Sequence, residues 1–570
     1  MHLKSRRLFW GVLGVLTALT AGGQEKASPR DFDLVIRNGH IVDGTGSPWY
    51  SADVGIRDSH IAAIGDLGGA AAKETIDAHG RVVAPGFIDM LGQSELTILV
   101  DPRLPSKIFQ GITTEITGEG NSVAPLNDAM IAADHATYEH YRINPDWRTL
   151  QQYFARLEKQ GMGINLATYV GATSVRRMVL GDANVQPTPG QLDQMKGLVR
   201  DAMRDGAVGV STSLQYSPAP YAKTKELIAM ASASKFGGIY ATHMRSEGDG
   251  VLESIDEATR IGRDAHIPVE IWHLKAAGKT NWGKMPQIVE RIDKSRAAGV
   301  DISANTYAYT AWFNTFSAFI PPWAHDGGDA KLVERLKDPA TRARIRKDMT
   351  TAGKDSAAEA WDNEWLEVPG PEAILIAVVQ NKELLPLQGK RLSEVATLWK
   401  EDAIDALCDL LIKDRAFTEV AVFGMDEPDV LLGLKQPWMS VDNDSSGTSP
   451  EGLLGQEHPH PRAYGTFPRI LRKYVREEKQ LTLADAIRKF TALPAQRMRL
   501  TDRGVLKEGM WADVVVFDPE KIADKATFED PNQFSVGMDY VLVNGVPVIA
   551  EGKMTGALPG KVLRGPGYVQ

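Results

Sequence analysis

Four side chains that could bind or activate a metal ion follow short apolar segments of the sequence. His243 ends GIYATH, His273 lies in PVEIWHLK, Glu119 follows TTEITG, and Asp444 follows WMSV. Imidazole nitrogen and carboxylate oxygen are both zinc ligands, and a catalytic zinc keeps one position open for water. A single histidine after a strand is more often structural, and Asp444 alone could cap a helix. The prediction of a metal hydrolase site therefore depends on the four residues together.

The elements that would position these residues are short strands alternating with helical stretches. The strands are predicted at 86–91, 113–118, 165–171, 209–214, 238–244, 268–275, 301–307 and 438–444. Eight such βα units predict an α/β fold, a (β/α)8 TIM-like barrel, whose catalytic groups lie at the carboxyl ends of the strands. The long gap between strands seven and eight predicts an inserted helical subdomain at about 320–430, because plain loops are much shorter.

Both ends of the chain outside this region are rich in β-forming residues. Residues 32–84 and 504–570 contain short β-rich runs separated by Asn-Gly, Asp-Gly and Asp-Ser turn signals. We therefore expect one small β-sandwich domain formed from both termini, with the barrel occupying residues 85–503.

Composition excludes several classes of function. The 570 residues carry a net charge of −9, which argues against nucleic acid as the main partner. Cys408 is the single cysteine, so an intrachain disulfide and a thiolate metal cluster are both excluded.

The first 23 residues have the pattern of an export signal. MHLKSRR is basic, LFWGVLGVLTALTA is apolar but too short to span a bilayer, and Ala21-Gly22-Gly23 follows. Ser5-Arg6-Arg7-Leu8-Phe9 resembles the twin-arginine signature, and a general secretory signal is the alternative. With no cysteine near the cleavage point, we predict export to a bacterial periplasm without a stable membrane anchor.

The motifs resemble the N-acyl-D-amino-acid deacylase (D-aminoacylase) group of the amidohydrolase superfamily. VVAPGFID and ADVVVFDP are general to the superfamily, whereas ATHMRSEG, EIWHLK and HPRAYGTFPR are specific to the deacylase group. The resemblance runs from about residue 32 to 567 and implies the barrel, the two-ended β domain and a zinc hydrolase. It implies one tightly bound Zn²⁺, or another divalent ion, held by Glu119, His243 and His273, with Asp444 as the catalytic acid and base.

Two departures from the group's pattern bear on the metal. The group's strand-two ligand is usually cysteine, and Glu119 takes that role here. In GFIDMLGQSE, Leu91 and Gln93 stand where the superfamily has His-x-His, which serves a second, weaker metal position. Neither leucine nor an amide is a good zinc ligand, so a single ion is expected.

The expected substrate is a small-molecule N-acyl amino acid, most simply an N-acyl-D-amino acid. Its free carboxylate suits a basic side chain, and Arg245, Lys275 and Arg462 are candidates. Tyr216 and Tyr307 could donate hydrogen bonds, and the resemblance implies that all but Arg245 lie near the substrate. The alternatives are hydrolysis of a different amide, a dipeptide or a lactone, and a non-catalytic barrel that only binds a ligand.

Overall fold

A computed structural model describes residues 32–351 and 361–569. The predicted export signal lies outside the described residues. Among the described residues, no helix combines the length and the apolar character needed to cross a bilayer.

Eight parallel strands form the barrel and confirm the predicted fold. The strands are Phe87–Asp89, Ile112–Thr117, Asn165–Thr168 with Val170–Gly171, Gly209–Ser213, Ile239–His243, Val269–Ile271, Ile302–Thr306 and Met439–Val441. Each pairs in parallel with the next along the chain. The barrel closes between its first and last strands, where Gly92 pairs in parallel with Ser445 and the N–H of Met90 donates a hydrogen bond to Val441 O.

Helices cover the outside of the barrel because each presents an apolar stripe to the strands. In the helix Val251–Ala265, the buried residues include Val251, Ile255, Ala258 and Ile261, which recur at helical spacing. The other α-helices of this part are Thr97–Val100, Pro105–Ile108, Asp128–Ala133, His135–His140, Leu150–Gln160, Ala172–Leu180, Pro189–Asp205, Thr224–Ala233, Met285–Ala297, Arg462–Arg469, Leu483–Phe490 and Ala492–Arg497. Single 3-10 turns span Ala219–Tyr221, Lys279–Asn281 and Leu454–Gln456, and Ile470–Glu477 continues its helix with π geometry.

A separate sheet takes strands from both ends of the described chain. Its strands are Phe32–Ile41, Tyr50–Arg57, His60–Gly65, Ala72–Asp77, Val82–Pro85, Val514–Phe517, Met538–Val543, Val546–Ala550 and Lys553–Met554. Val82–Pro85 pairs antiparallel with Val514–Phe517 and so joins the two halves. Hydrogen bonds connect all nine strands in one sheet, which has an apolar core of its own. From the sequence alone, a sandwich of two sheets is expected.

The segment between barrel strands seven and eight is not purely helical, which corrects the prediction. Its strands Trp312–Thr315, Ile374–Val378 and Glu419–Val422 form a three-stranded antiparallel sheet. Its α-helices are Asp329–Lys337, Pro339–Thr350, Glu364–Glu367, Leu392–Trp399, Ala403–Lys413 and Glu427–Leu434, with 3-10 turns at Phe316–Phe319, Pro322–His325, Pro371–Ala373 and Leu385–Leu387. Because Trp312–Thr315 pairs with Glu419–Val422, this inserted subdomain begins before residue 320. The short runs WFNT, ILIAV and EVAV, which are rich in aromatic or β-branched residues, carry the strand signal.

Candidate active site

Glu119, His243 and His273 meet at the carboxyl ends of barrel strands two, five and six. Glu119 Oε1 lies 3.1 Å from His243 Nδ1 and 3.3 Å from His273 Nε2. The two ring nitrogens are 3.0 Å apart. Both histidines are buried and Glu119 is nearly so. Three potential ligand atoms thus form a nearly equilateral triangle.

The triangle has the size that a zinc ion requires. Ligand bonds of about 2.0–2.1 Å at tetrahedral angles place neighbouring ligand atoms roughly 3.3 Å apart. The three observed separations of 3.0, 3.1 and 3.3 Å are close to that value. One carboxylate and two imidazoles leave a fourth position free, as a catalytic rather than a structural site does.

The ring of His243 is oriented by a chain of hydrogen bonds that reaches the inserted subdomain. Gln215 Nε2 donates to Glu364 Oε1 at 2.6 Å, and Gln215 Oε1 lies 2.7 Å from His243 Nε2. Glu364 accepts from three N–H donors, so the Gln215 amide turns its oxygen to His243, which then carries its proton on Nε2. His243 Nδ1 is thereby left with a lone pair facing Glu119 and His273. Trp312 and Asn314 also donate to Glu364 and hold it in place.

The ring of His273 is fixed from the opposite side by Glu247 and Lys275. His273 Nδ1 lies 2.9 Å from Glu247 Oε1, and Lys275 Nζ donates to Glu247 Oε2 at 2.7 Å. Lys275 Nζ also lies 2.7 Å from His273 Nδ1, so this ring nitrogen contacts both a carboxyl group and an ammonium group, while Nε2 faces Glu119 and His243. Burial raises the pKa of Glu247, but Lys275, His273 and His243 outweigh it and hold this pKa below the ordinary value.

Asp444 lies beside the triangle and is held by two donors. Gln93 Nε2 donates to Asp444 Oδ1 at 3.0 Å, and Arg462 Nη1 lies 2.8 Å from Oδ2. The backbone of Asp444 is left-handed, with φ 44°, and the hydrogen bond from its N–H to Leu91 O stabilises this conformation. Burial raises the pKa of Asp444, which Arg462 and His273 only partly offset. A carboxyl group can accept a proton and return it, and a pKa above the ordinary value makes the carboxylate a stronger base for the first step.

The pKa of Glu119 is lowered, whereas that of Asp444 is raised. Burial raises the pKa of Glu119, but the neighbouring imidazoles of His243 and His273 outweigh burial and bring the pKa well below its ordinary value. Glu119 is therefore ionised, as a metal ligand must be.

A cavity of ≈ 330 Å³ opens above these groups and is walled by the barrel mouth and the inserted subdomain. Tyr216 lines it, with its ring 4.9 Å from that of His243, and Lys275 lines it as well. Arg462 and Tyr307 lie behind this wall. The Arg462 guanidinium stacks 4.6 Å from the Tyr307 ring centre, and Tyr307 Oη faces Met425 Sδ at 3.7 Å. Tyr307 therefore contacts the site through Arg462.

Arg245 is placed differently from the sequence-based expectation. Its guanidinium pairs with Glu257 at 2.9 Å and donates to the carbonyl oxygens of Pro220 and Ala222. It does not line the cavity. A substrate role for Arg245 stays a prediction, and the structure places the side chain away from the cavity with its donors used by these neighbours.

Sequence reasoning missed Gln215, Glu247 and Glu364. Gln215 lies two residues beyond the fourth barrel strand and Glu247 four residues beyond His243, so a search of every strand end would have found both. Glu364 lies in the inserted subdomain, where no sequence periodicity connects it to the barrel mouth.

Comparisons with known proteins bear on this site. The model of a family described as "Amidohydrolase family" matches residues 451–549. N-acyl-D-glutamate deacylase of Alcaligenes xylosoxydans xylosoxydans is 35% identical, over 93% of this chain and 96% of the relative. D-aminoacylase of the same organism is 34% identical, over 94% of this chain and 99% of the relative.

Two solved structures are similar over most of the chain. One is N-acyl-D-glutamate deacylase from Bordetella bronchiseptica, complexed with zinc and a phosphonate inhibitor that mimics the tetrahedral intermediate. Its TM-score is 0.78 at 33% identity, covering 94% of this chain and 100% of that one. The other is D-aminoacylase, described as having a binuclear metal centre with one-metal activation and second-metal attenuation. Its TM-score is 0.76 at 31% identity, with the same coverage.

Proposed function

Because the chain belongs to the N-acyl-D-amino-acid deacylase group of the amidohydrolase family, we propose that it hydrolyses the amide bond of N-acyl-D-amino acids. The observation that carries this proposal is the triangle of Glu119, His243 and His273, which matches the size of a zinc site. One Zn²⁺, held by these three residues, is the proposed cofactor.

Zinc in this position supplies Lewis acidity towards the scissile carbonyl and lowers the pKa of water. Asp444 accepts the proton of the attacking water at its carboxylate and returns it to the nitrogen of the leaving amine. Its position between Gln93 and Arg462 supports both steps, and its raised pKa supports the first. General acid–base catalysis of this kind contributes about 10²- to 10⁴-fold.

The substrate's own carboxylate is the group that Lys275, which lines the cavity, would bind. Arg462 lies behind the wall and pairs with Asp444, so it would act on the substrate through the Asp444 carboxylate.

The charge of the cavity wall supports a choice among the side chains that the substrate could carry. Similarity to the relatives does not make this choice, because one is named for D-glutamate and another for no particular amino acid. Besides Glu119 and Asp444, the described lining includes the carboxyl groups of Glu247, Asp329, Asp362, Glu364, Glu367 and Glu419. Lys275 is the one lysine or arginine among the described lining residues. A substrate with an acidic side chain would meet eight carboxyl groups here and one ammonium group, which Glu247 already pairs, so we propose neutral or basic D-amino acids as the released product.

A panel of substrates tests the proposal. Release of free amine is measured from N-acetyl-D-leucine, N-acetyl-D-lysine and N-acetyl-D-glutamate, the L forms, a D-containing dipeptide and a lactone. We expect the D-leucine and D-lysine derivatives to have the highest kcat/KM. Faster turnover of an L form, the dipeptide or the lactone would contradict the proposed reaction, and a preference for D-glutamate would contradict only the proposed side-chain selectivity.

We also propose that residues 1–23 direct export to a periplasm. The basic and apolar pattern of that segment is the support. In a bacterial host, the mature protein should begin after residue 23 and fractionate with periplasmic markers. Retention of export by the Arg6→Lys, Arg7→Lys double variant would favour the general secretory route over the twin-arginine route.

A further inference from the structure

We propose that the Gln93 carboxamide takes the place of a second metal ion. The centre then holds one ion, and Gln93 rather than a second ion orients Asp444. Gln93 Nε2 donates to Glu119 Oε2 at 2.7 Å and to Asp444 Oδ1 at 3.0 Å. Both partners are carboxylates that only accept, which fixes the amide with its NH₂ between them. The inference rests on the proposed single-ion site but not on the identity of the substrate.

The two oxygens of Glu119 have separate partners. Oε1 faces His243 and His273, whereas Oε2 accepts from Gln93. A carboxylate that bridges two ions must offer one oxygen to each. Here the second oxygen already accepts a hydrogen bond from the amide, so Glu119 can serve only the ion at the two histidines.

Among the described residues, the first strand offers no histidine pair, and the groups at positions 91 and 93 are not metal ligands. Leu91 is fully buried in an apolar cluster that includes Ile88, Ile116 and Trp272. Gly92 fixes the backbone between the two positions, because a Cβ there would lie 1.7 Å from Glu115 Oε1. The residues present therefore do not fit a second ion.

The charge behind the first strand is partly balanced without a metal. Asp89, at the end of that strand, accepts from Lys107 Nζ at 2.7 Å, and Glu115 Oε1 lies 3.4 Å from the same ammonium group. Lys107 is fully buried. A fixed internal cation thus offsets one of these two carboxylate charges, which weakens the electrostatic reason for a second ion at this position.

The amide also performs a positioning task. A second ion would hold the catalytic carboxylate by coordination, whereas Gln93 holds Asp444 Oδ1 by a hydrogen bond opposite Arg462. Backbone contacts keep Gln93 in place, since its N–H donates to Ser445 O and its carbonyl accepts from Ser446 Oγ at 2.7 Å. Gln93 is a positioning residue that acts through Asp444.

Metal counting tests the proposal directly. The mature chain is dialysed against excess Zn²⁺, freed of loose ions by gel filtration, and analysed by plasma mass spectrometry. We expect one equivalent per chain for the wild type and two for Gln93→His, whose imidazole would join Glu119 and Asp444 as a ligand. Gln151→His, on an exposed helix position, is the matched control and should keep one equivalent.

Two further measurements complete the test. Co²⁺ titration of the wild type, followed by its visible absorption, should end at one equivalent, and excess Zn²⁺ should not reduce its turnover. Gln93→Leu keeps the shape but lacks the donors, so it should retain one ion and lose about tenfold in kcat with little change in KM. Two equivalents in the wild type, or an unchanged kcat in Gln93→Leu, would overturn the inference. Absence of any stoichiometric ion would instead overturn the proposed function.

Discussion

Replacing Gln215 tests whether the hydrogen-bond chain behind His243 controls metal affinity. In Gln215→Leu, the His243 Nε2 proton loses its acceptor at 2.7 Å, and the next carboxylate, Glu247 Oε2, is 3.9 Å away. Glu364 simultaneously loses a donor at 2.6 Å. Leaving a buried donor unsatisfied costs about 1–3 kcal/mol. Removing a hydrogen-bond partner of a ligating histidine typically weakens metal binding about 10- to 100-fold, or roughly 1.4–2.7 kcal/mol.

Those two ranges agree, so we expect Zn²⁺ to bind Gln215→Leu between about 10 and 100 times more weakly. Competition with a chromophoric chelator gives the Kd. At saturating zinc the variant should recover most of its kcat, because Asp444 is untouched.

Gln110→Leu is the matched control for Gln215→Leu. Gln110 is also buried and donates two hydrogen bonds, to Ser106 O and Ala463 O, away from the triangle. It should lower the melting temperature without changing the zinc Kd. A Kd for Gln215→Leu within twofold of the wild type would refute the reasoning.

Three other variants separate chemistry, structure and charge. Asp444→Asn should keep its zinc while amine release falls about 10²- to 10⁴-fold, and an unchanged rate would remove its proposed role. Arg245→Met should lower the free energy of unfolding by about 1–3 kcal/mol through the lost bonds to Glu257, yet leave KM within about twofold; a large rise in KM would restore the substrate role. Burial, reinforced by Glu457, raises the pKa of Glu419 to about 8, so the folded chain keeps a proton that the unfolded chain releases above about 4.5. The free energy of unfolding should therefore fall as pH rises between these values, and it should fall less steeply in Glu419→Gln. An equal change in urea midpoint between pH 5 and pH 8 in the wild type and in Glu419→Gln would contradict this.

The barrel and the convergence of its candidate ligands could be predicted from the sequence because both follow from local pattern. Each strand end is visible as an apolar run followed by a polar residue, and the fold brings the ends together. His243, His273, Glu119 and Asp444 could therefore be found without a structure, once the barrel was assumed.

Side-chain direction was less accessible. Arg245 and Lys275 each lie two residues beyond a ligating histidine, yet Lys275 lines the cavity and Arg245 pairs with Glu257. The difference depends on tertiary neighbours, which spacing along the chain does not encode. The same holds for Glu364, which reaches His243 only through Gln215.

The joining of the small sheet across the chain has a consequence for biosynthesis. Val82–Pro85 is made early but finds its antiparallel neighbour only when Val514–Phe517 leaves the ribosome. Until then a strand edge stays open next to the first barrel strand, and such edges recruit other chains. A nascent or prematurely terminated chain therefore carries an unpaired strand edge that only the completed polypeptide covers. Incomplete chains should accordingly aggregate more readily than the full-length protein.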